Sequence, residues 1–583
     1  MLLGNPTILA KNGCDTGRIP RRKAAAASPR RRGPDRITEF ETAQKGSFVS
    51  VKRTLVQARD RVNQIVTSNS TYRRHRRNVS GEVFVRGGGR FTPSMVRLDR
   101  NLRLPELKAS SARLVEATLD RLGVRYWAVP TQSNRCTKFG VLETDRALVL
   151  GALAADPAYA HWNAQELAPR GTARPALYSA TELAGQSAWP GLRIYERVAP
   201  AAGSSFLSGP AQGVELHFWS VSAETGLLES QVWNDRFTTA PDPARHPDTF
   251  AEVVRRAGRP SSEQVDFPVD VVYTWVDGAD PDWQRAKAEA LHAADAESFI
   301  QDAVDEARFA DNDELRYSLR SLEQYAPWVR KIWIVTAGQT PAWLDTDNPR
   351  VEIVDHRQVW PDASDLPSFN SHAIEANLHR IPGLAEHFLY FNDDFLLARP
   401  VNPEHFFFGN GVGKFFYSRA HVDLMDPSPE DNVSTIAAKN ARDLLQETGG
   451  HAFSRKFFHT PSPLRKSVLL DAERSFPGAF SQTRAARFRQ QSDIAAAGSF
   501  YFQYAFSRGA AVPSRIAYDY IDPATADGRR RFTSVTARHN MDTIVVNDGS
   551  TKESPEERQV TSRFIKATLA RFLPVPSVFE TDR

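Results

Sequence analysis

The chain has 583 residues, 41% hydrophobic and 25% charged, an ordinary globular composition with room for two or three domains. No apolar run approaches the roughly 18–20 residues of a membrane-spanning helix, because Glu143, Asp145 and Arg146 interrupt the nearest one at 139–155. The formal net charge of +5 hides an asymmetry: residues 1–100 hold 22 Lys or Arg against 7 Asp or Glu, and the rest hold 52 against 62.

Residues 1–100 therefore read as a basic, low-complexity, disordered extension. Its apolar start, 1–10, lacks the preceding basic flank and the length of a signal peptide. The Arg clusters in RRKAAAASPRRRGPDR and TYRRHRRNVSGEVFVRGGGR lack the interleaved aromatics of a base-stacking platform, so no nucleic acid is expected. The plainer reading is a solvated tail. The functional alternative is an electrostatic tether to an anionic membrane surface or an acidic polymer. Only two cysteines occur, Cys14 in this tail and Cys136. No disulfide framework is expected, which favours a reducing, cytoplasmic compartment, peripheral at the inner face of the membrane if the tether acts.

Residues 101–258 read as a small α/β domain. SSARLVEATLDRLGV has helical spacing, with Leu114, Leu119 and Leu122 on one side. RYWAVP reads as a strand and DRALVLGALAADP as a helix. VELHFWSVS and LLESQVWND form a predicted strand pair turning at Glu224-Thr225-Gly226. No site chemistry is legible there. The polar, proline-bearing stretches TTAPDPARHPDTF and AGRPSSEQVDFP lead into a third region, 266–583.

In that region the apolar run 269–276 predicts a strand ending at Asp277-Gly278. DELRYSLRSLEQYAPW predicts a helix with Leu315, Leu319 and Leu322 on one face and Arg316 and Arg320 on another. Strands follow at 331–336 and in PRVEIVDH, then a helix in HAIEANLHRIPGL closed by Gly383, then a fourth strand in HFLYFNDDFLL. This order describes a mostly parallel sheet flanked by helices, whose ligands bind beyond the carboxyl ends of the strands. Asp277 and Asn392-Asp393-Asp394 fall at such ends. Adjacent carboxylates inside an apolar run repel each other and are poorly solvated; a divalent cation or a cationic partner would offset them. A plain solvated turn is the competing reading, and the second acidic strand end at Asp277 favours a site.

Four ordered blocks carry a resemblance: DVVYTWVDGADPDW; DNDELRYSLRSLEQYAPWVRKIWIVTAGQTPAWL continuing through HFLYFNDDFLL; HTPSPLRKSVL with RFRQQSDI; and FLPVPSVFE. Together they resemble the Stealth family, the sugar-1-phosphate transferases of bacterial capsule and exopolysaccharide synthesis. The animal lysosomal-enzyme N-acetylglucosamine-1-phosphotransferase shares these blocks. The resemblance spans 269–580.

It implies a Rossmann-like, nucleotide-sugar-transferase-like fold. It also implies transfer of a hexose or N-acetylhexosamine 1-phosphate from a nucleoside-diphosphate sugar to a sugar hydroxyl of a polysaccharide or glycan. As catalytic residues it implies Asp393, Asp394, His459 and Arg489. As substrate-binding residues it implies Asp277, Asn312, Arg320, Asn392, Asp493, Asn547 and Asp548, with Arg320 suited to phosphate by its planar fork. Asp393 and Asp394 would hold a divalent metal, Mg2+ or Mn2+. Two rivals remain at this level: a metal-dependent glycosyltransferase forming a glycosidic bond, and a non-catalytic protein binding an anionic surface. No Gly-x-x-x-x-Gly-Lys-Ser/Thr loop occurs, which argues against an ATP-driven P-loop enzyme.

Overall fold

The computed structural model describes residues 83–87 and 93–581, apart from 132–135, 175–176, 187, 202–203, 235, 295–299, 301–308, 310, 429, 448–452 and 548–552. The basic extension, but for short strands at its end, and with it the tether reading, lies outside the described residues. Residues 78–583 form one compact unit.

The first part of this unit is built on an eight-stranded, largely antiparallel sheet. A helix at Leu104–Leu122 and another at Arg146–Ala155 cover it, burying Val115, Leu119, Val149 and Leu153 against Leu192, Ile194, Leu216 and Phe218. The first helix closes at Gly123, whose φ of 66° is the left-handed conformation that glycine adopts without a Cβ penalty. The predicted strand pair forms antiparallel between Val214–Val221 and Leu227–Ser230. This region is joined tightly to the C-terminal part of the unit. Leu102, Leu104 and Leu107 share a core with Leu315, Leu319 and Leu573, and Arg103 Nη1 donates to Glu323 Oε1 at 2.6 Å.

The second part is organised by a five-stranded sheet. Its strands are β1 (Val269–Thr274), β2 (Ile332–Thr336), β3 (Val351–Asp355), β4 (His387–Asn392) and, after β5 (Phe395–Leu397), β6 (Ser462–Arg465). The order is β3-β2-β1-β4-β6; the first four are parallel and β6 runs antiparallel at the edge. The near-continuous apolar sequences of β1, β2 and β4 follow from this, since a parallel sheet is covered on both faces. Val271 and Tyr273 face one core together with Leu315, Leu319 and Leu322 of helix α1 (Glu314–Tyr325). Val272 faces a second core with Trp333, Phe388 and Tyr390.

Two expectations are corrected. HFLYFNDDFLL is not one strand. β4 stops at Asn392, the chain turns through Asp393 and Asp394, and β5 leaves to pair antiparallel with β8 (Thr543–Val546), which runs parallel to β7 (Tyr518–Ile521). Two carboxylates cannot continue a strand covered on both faces, so they mark where the chain exits the sheet. HAIEANLHRIPGL likewise makes only a short helix at Ser371–Glu375 and a turn at Leu378–Arg380. Asn377 Nδ2 donates back to Ala373 O at 3.0 Å, competing with the helical ladder, and Gly383 closes the segment at φ 78° as expected.

Candidate active site

A cleft of about 760 Å³ opens beyond the carboxyl ends of β1 and β4. The turn after β4 lies in its wall. Asp394 is held by β8: Val546 N donates to Asp394 O at 3.2 Å, and Asn547 Nδ2 donates to Asp394 Oδ2 at 3.2 Å. The Asp393 carboxyl is pushed well above the usual carboxylate range, first by its enclosure among the cleft walls and then by the neighbouring charges of Asp394 and Asp311.

His459 follows the strand Arg455–Phe457. Its ring stands edge-on to Phe395, with centroids 4.8 Å apart, and Nε2 lies 3.4 Å from Asn392 Nδ2. The ring opens into the cleft yet is crowded by protein. Desolvation, aided by the positive charge of Arg489, pushes the imidazole down to about 4, so it is neutral at pH 7. Arg489 Nη2 donates to Ser371 Oγ at 2.6 Å and faces the same cavity.

Asn392, Asp393, Asp394, His459, Arg489 and Asn547 therefore line one cleft. Four other expected residues stand differently. Asp277 sits just past β1, but its Oδ1 accepts from Ala279 N at 2.8 Å and Gln339 clasps its main chain, so it shapes the turn. Asn312 is buried and donates through Nδ2 to Glu314 Oε1 at 2.8 Å, fixing a carboxylate that does reach the cleft. Asp493 is 1% exposed; its Oδ2 accepts from Asn370 Nδ2 at 2.8 Å and Gln490 N at 3.0 Å, which holds the loop bearing Arg489. Asp548 lies outside the described residues.

Arg320 is a correction. Its guanidinium is buried, with Nε and Nη2 donating to Glu580 Oε1 and Oε2 at 2.8 and 2.7 Å and Nη1 donating to Leu573 O at 2.9 Å. A fork committed in this way staples the C-terminal segment to α1 and is not placed to take phosphate. Glu580→Ala is expected to cost about 3 kcal/mol of stability in denaturant unfolding, because breaking a buried pair strands the remaining charge. Donor affinity of the folded protein should be unchanged.

The sequence reading missed Glu375, Tyr390 and Lys456, all in the cleft wall. Burial pushes the Glu375 carboxyl up, and its Oε2 accepts from Ala497 N at 3.3 Å. Glu375 lies inside one of the quoted blocks, but no spacing marked it out.

Among the described residues no group of three or more His, Cys, Asp or Glu is arranged to hold a metal. Mg2+ needs no such cage: it keeps several waters and binds through one or two carboxylates plus substrate phosphates. Asp393 and Asp394 fit that mode, being adjacent hard-oxygen donors on the cleft wall with the Asp393 carboxyl destabilised by its neighbour.

Comparison with known proteins places the chain in a family. Stealth conserved regions 1, 2 and 3 match residues 267–295, 308–415 and 458–507. Exopolysaccharide phosphotransferase SCO6023 of Streptomyces coelicolor is 38% identical over 81% of this chain and 82% of its own. The chain belongs to the Stealth family. This Stealth protein is a transferase, as expected. It is also 34% identical to exopolysaccharide phosphotransferase CpsY of Mycobacterium tuberculosis, over 88% of this chain and 95% of that one. Galactosyltransferase LgtC, solved with donor and acceptor sugar analogs, aligns to 51% of the chain and 95% of its own at 12% identity, with a TM-score of 0.27 that decides nothing. Among the described residues no helix is long and apolar enough to cross a membrane.

Proposed function

We propose that this Stealth protein transfers a sugar-1-phosphate from a nucleoside-diphosphate sugar to a sugar hydroxyl of a growing exopolysaccharide. The observation that carries the reading is the convergence of Asp393-Asp394, neutral His459 and Arg489 on one cleft. The names of its relatives, exopolysaccharide phosphotransferases, support the substrate class.

Phosphoryl transfer asks mainly for positioning and charge neutralisation. Arg489 donates to the oxygens of the sugar-bearing phosphate. His459 Nε2 accepts the proton of the acceptor hydroxyl as its oxygen bonds to that phosphorus. The bond from phosphorus to the bridging oxygen breaks, and a nucleoside monophosphate leaves with both electrons. The anomeric bond is untouched. Asn547 keeps Asp394 oriented. A divalent cation held by Asp393 and Asp394 would supply charge neutralisation on the donor phosphates.

Metal and proton compete for the raised Asp393 carboxyl. Mn2+ should therefore bind more tightly at pH 7.5 than at pH 5.5 in an electron paramagnetic resonance titration, and Asp393→Asn should flatten that dependence. The function itself is tested by chromatography of the nucleotide released from a panel of nucleotide sugars. A nucleoside monophosphate is expected; a diphosphate would make the protein a glycosyltransferase.

A further inference from the structure

The cleft has a second cationic corner that the transfer chemistry leaves unused. Lys456 lines it three residues before His459. Its Nζ donates to Thr435 Oγ1 at 2.5 Å and reaches Ser434 Oγ at 3.4 Å, both in the first turn of helix α2 (Val433–Gln446). These hydroxyls aim the ammonium without neutralising it. The acidic group that acts on it is Asp431, whose Oδ2 already accepts from Lys439 Nζ at 2.8 Å and Ser428 N at 3.0 Å. Lys456 makes no ion pair among the described residues.

The surrounding wall favours an anion. The start of α2 faces the cleft with Thr435 N capped by Asn432 Oδ1, and the start of α3 (Ser499–Ser507) faces it behind an N-cap, Gly498, that has no side chain, Phe500 N donating to Ala495 O at 3.2 Å. Ser499 Oγ is buried there with no hydrogen-bond partner among the described residues. Buried hydroxyls of native proteins are nearly always bonded, so this one points to an atom that a ligand supplies. Phe502 of α3 packs on Phe457 at 5.1 Å, which ties this corner to the Lys456 strand. Arg489 is the charge that acts on His459, and its Nη2 is directed to Ser371 Oγ, whereas Lys456 Nζ is directed to the hydroxyls of α2.

We propose that Lys456 and the starts of α2 and α3 form a second anion subsite, which holds a phosphodiester of the acceptor glycan while Arg489 faces the donor phosphate. The proposal rests on the sugar-1-phosphate reading. Each such transfer leaves a phosphodiester in the product, so the chain presented for the next round carries phosphate near its reacting end.

Methyl phosphate is the probe. In protein carrying 13C-dimethylated lysines, the Lys456 resonance is assigned by its absence from Lys456→Arg. Titration should move that resonance with the same midpoint in wild type and in Arg489→Met. No movement, or movement lost in Arg489→Met, would overturn a separate subsite. A second arm uses a neutral acceptor oligosaccharide and the same oligosaccharide after one round of transfer. Lys456→Met should raise KM for the phosphorylated acceptor about 10-fold relative to the neutral one, as expected for loss of a charge-assisted bond. A rise in donor KM instead would place Lys456 at the donor and overturn the proposal. Release of a nucleoside diphosphate would sink the transfer reading, while the titration would still report the subsite.

Discussion

Asp394→Asn is expected to lower sugar-phosphate transfer by about 10³-fold or more in a protein that still folds, an effect of the size seen when a transition-state charge partner is removed. The substitution keeps the shape of the side chain. Asn547 Nδ2 can still donate to the amide oxygen, and the turn is anchored through Val546 N to the Asp394 carbonyl. The change removes a negative charge from the wall where the donor phosphates and their cation are proposed to sit. The check is kcat/KM at saturating Mg2+ alongside an unfolding curve; near-normal turnover in a folded variant would remove this turn from the mechanism. Asp393→Asn should behave differently with pH. Because the Asp393 carboxyl is raised, it takes up its proton at a higher pH than an ordinary carboxylate, so the loss on substitution should shrink as pH falls and widen as it rises.

His459→Ala should reduce kcat by roughly 10²–10⁴-fold, the usual contribution of a positioned acid–base group, with little change in donor KM. The sign of the pH effect is set by the depressed imidazole. Its base form predominates above about pH 4, so His459 imposes no acid limb near 6.5 in the free enzyme. An acid limb in kcat/KM should come instead from the raised Asp393 carboxyl and should persist in His459→Ala. A donor KM that rises in step with an unchanged kcat would instead make His459 a binding contact.

The parallel sheet was legible because strands covered on both faces need near-unbroken apolar sequence, and 269–274, 332–336 and 387–392 supply it. The Asn392-Asp393-Asp394 turn was legible for the opposite reason, as charge in a place a strand cannot keep it. His459 and Arg489 came from resemblance alone; no local pattern brings an imidazole at 459 to a carboxylate turn at 393. Arg320 was misread because the resemblance carried a phosphate role onto it, and neither the resemblance nor the helical spacing that put it on a charged face says what covers that face. Its partner Glu580 lies 260 positions away. Lys456 and Glu375 were invisible because packing between α2, α3 and the short helix at Ser371–Glu375 decides which way they face.

The most direct test of the account traces the phosphorus. A nucleoside-diphosphate sugar labelled with 32P in the sugar-bearing phosphate is incubated with the enzyme and an acceptor glycan, and the products are separated. The account requires the label to leave the nucleotide and appear in the glycan, in a linkage that resists phosphomonoesterase and releases labelled sugar phosphate on mild acid treatment. Label that stays wholly in the nucleotide while unlabelled sugar joins the glycan would contradict it.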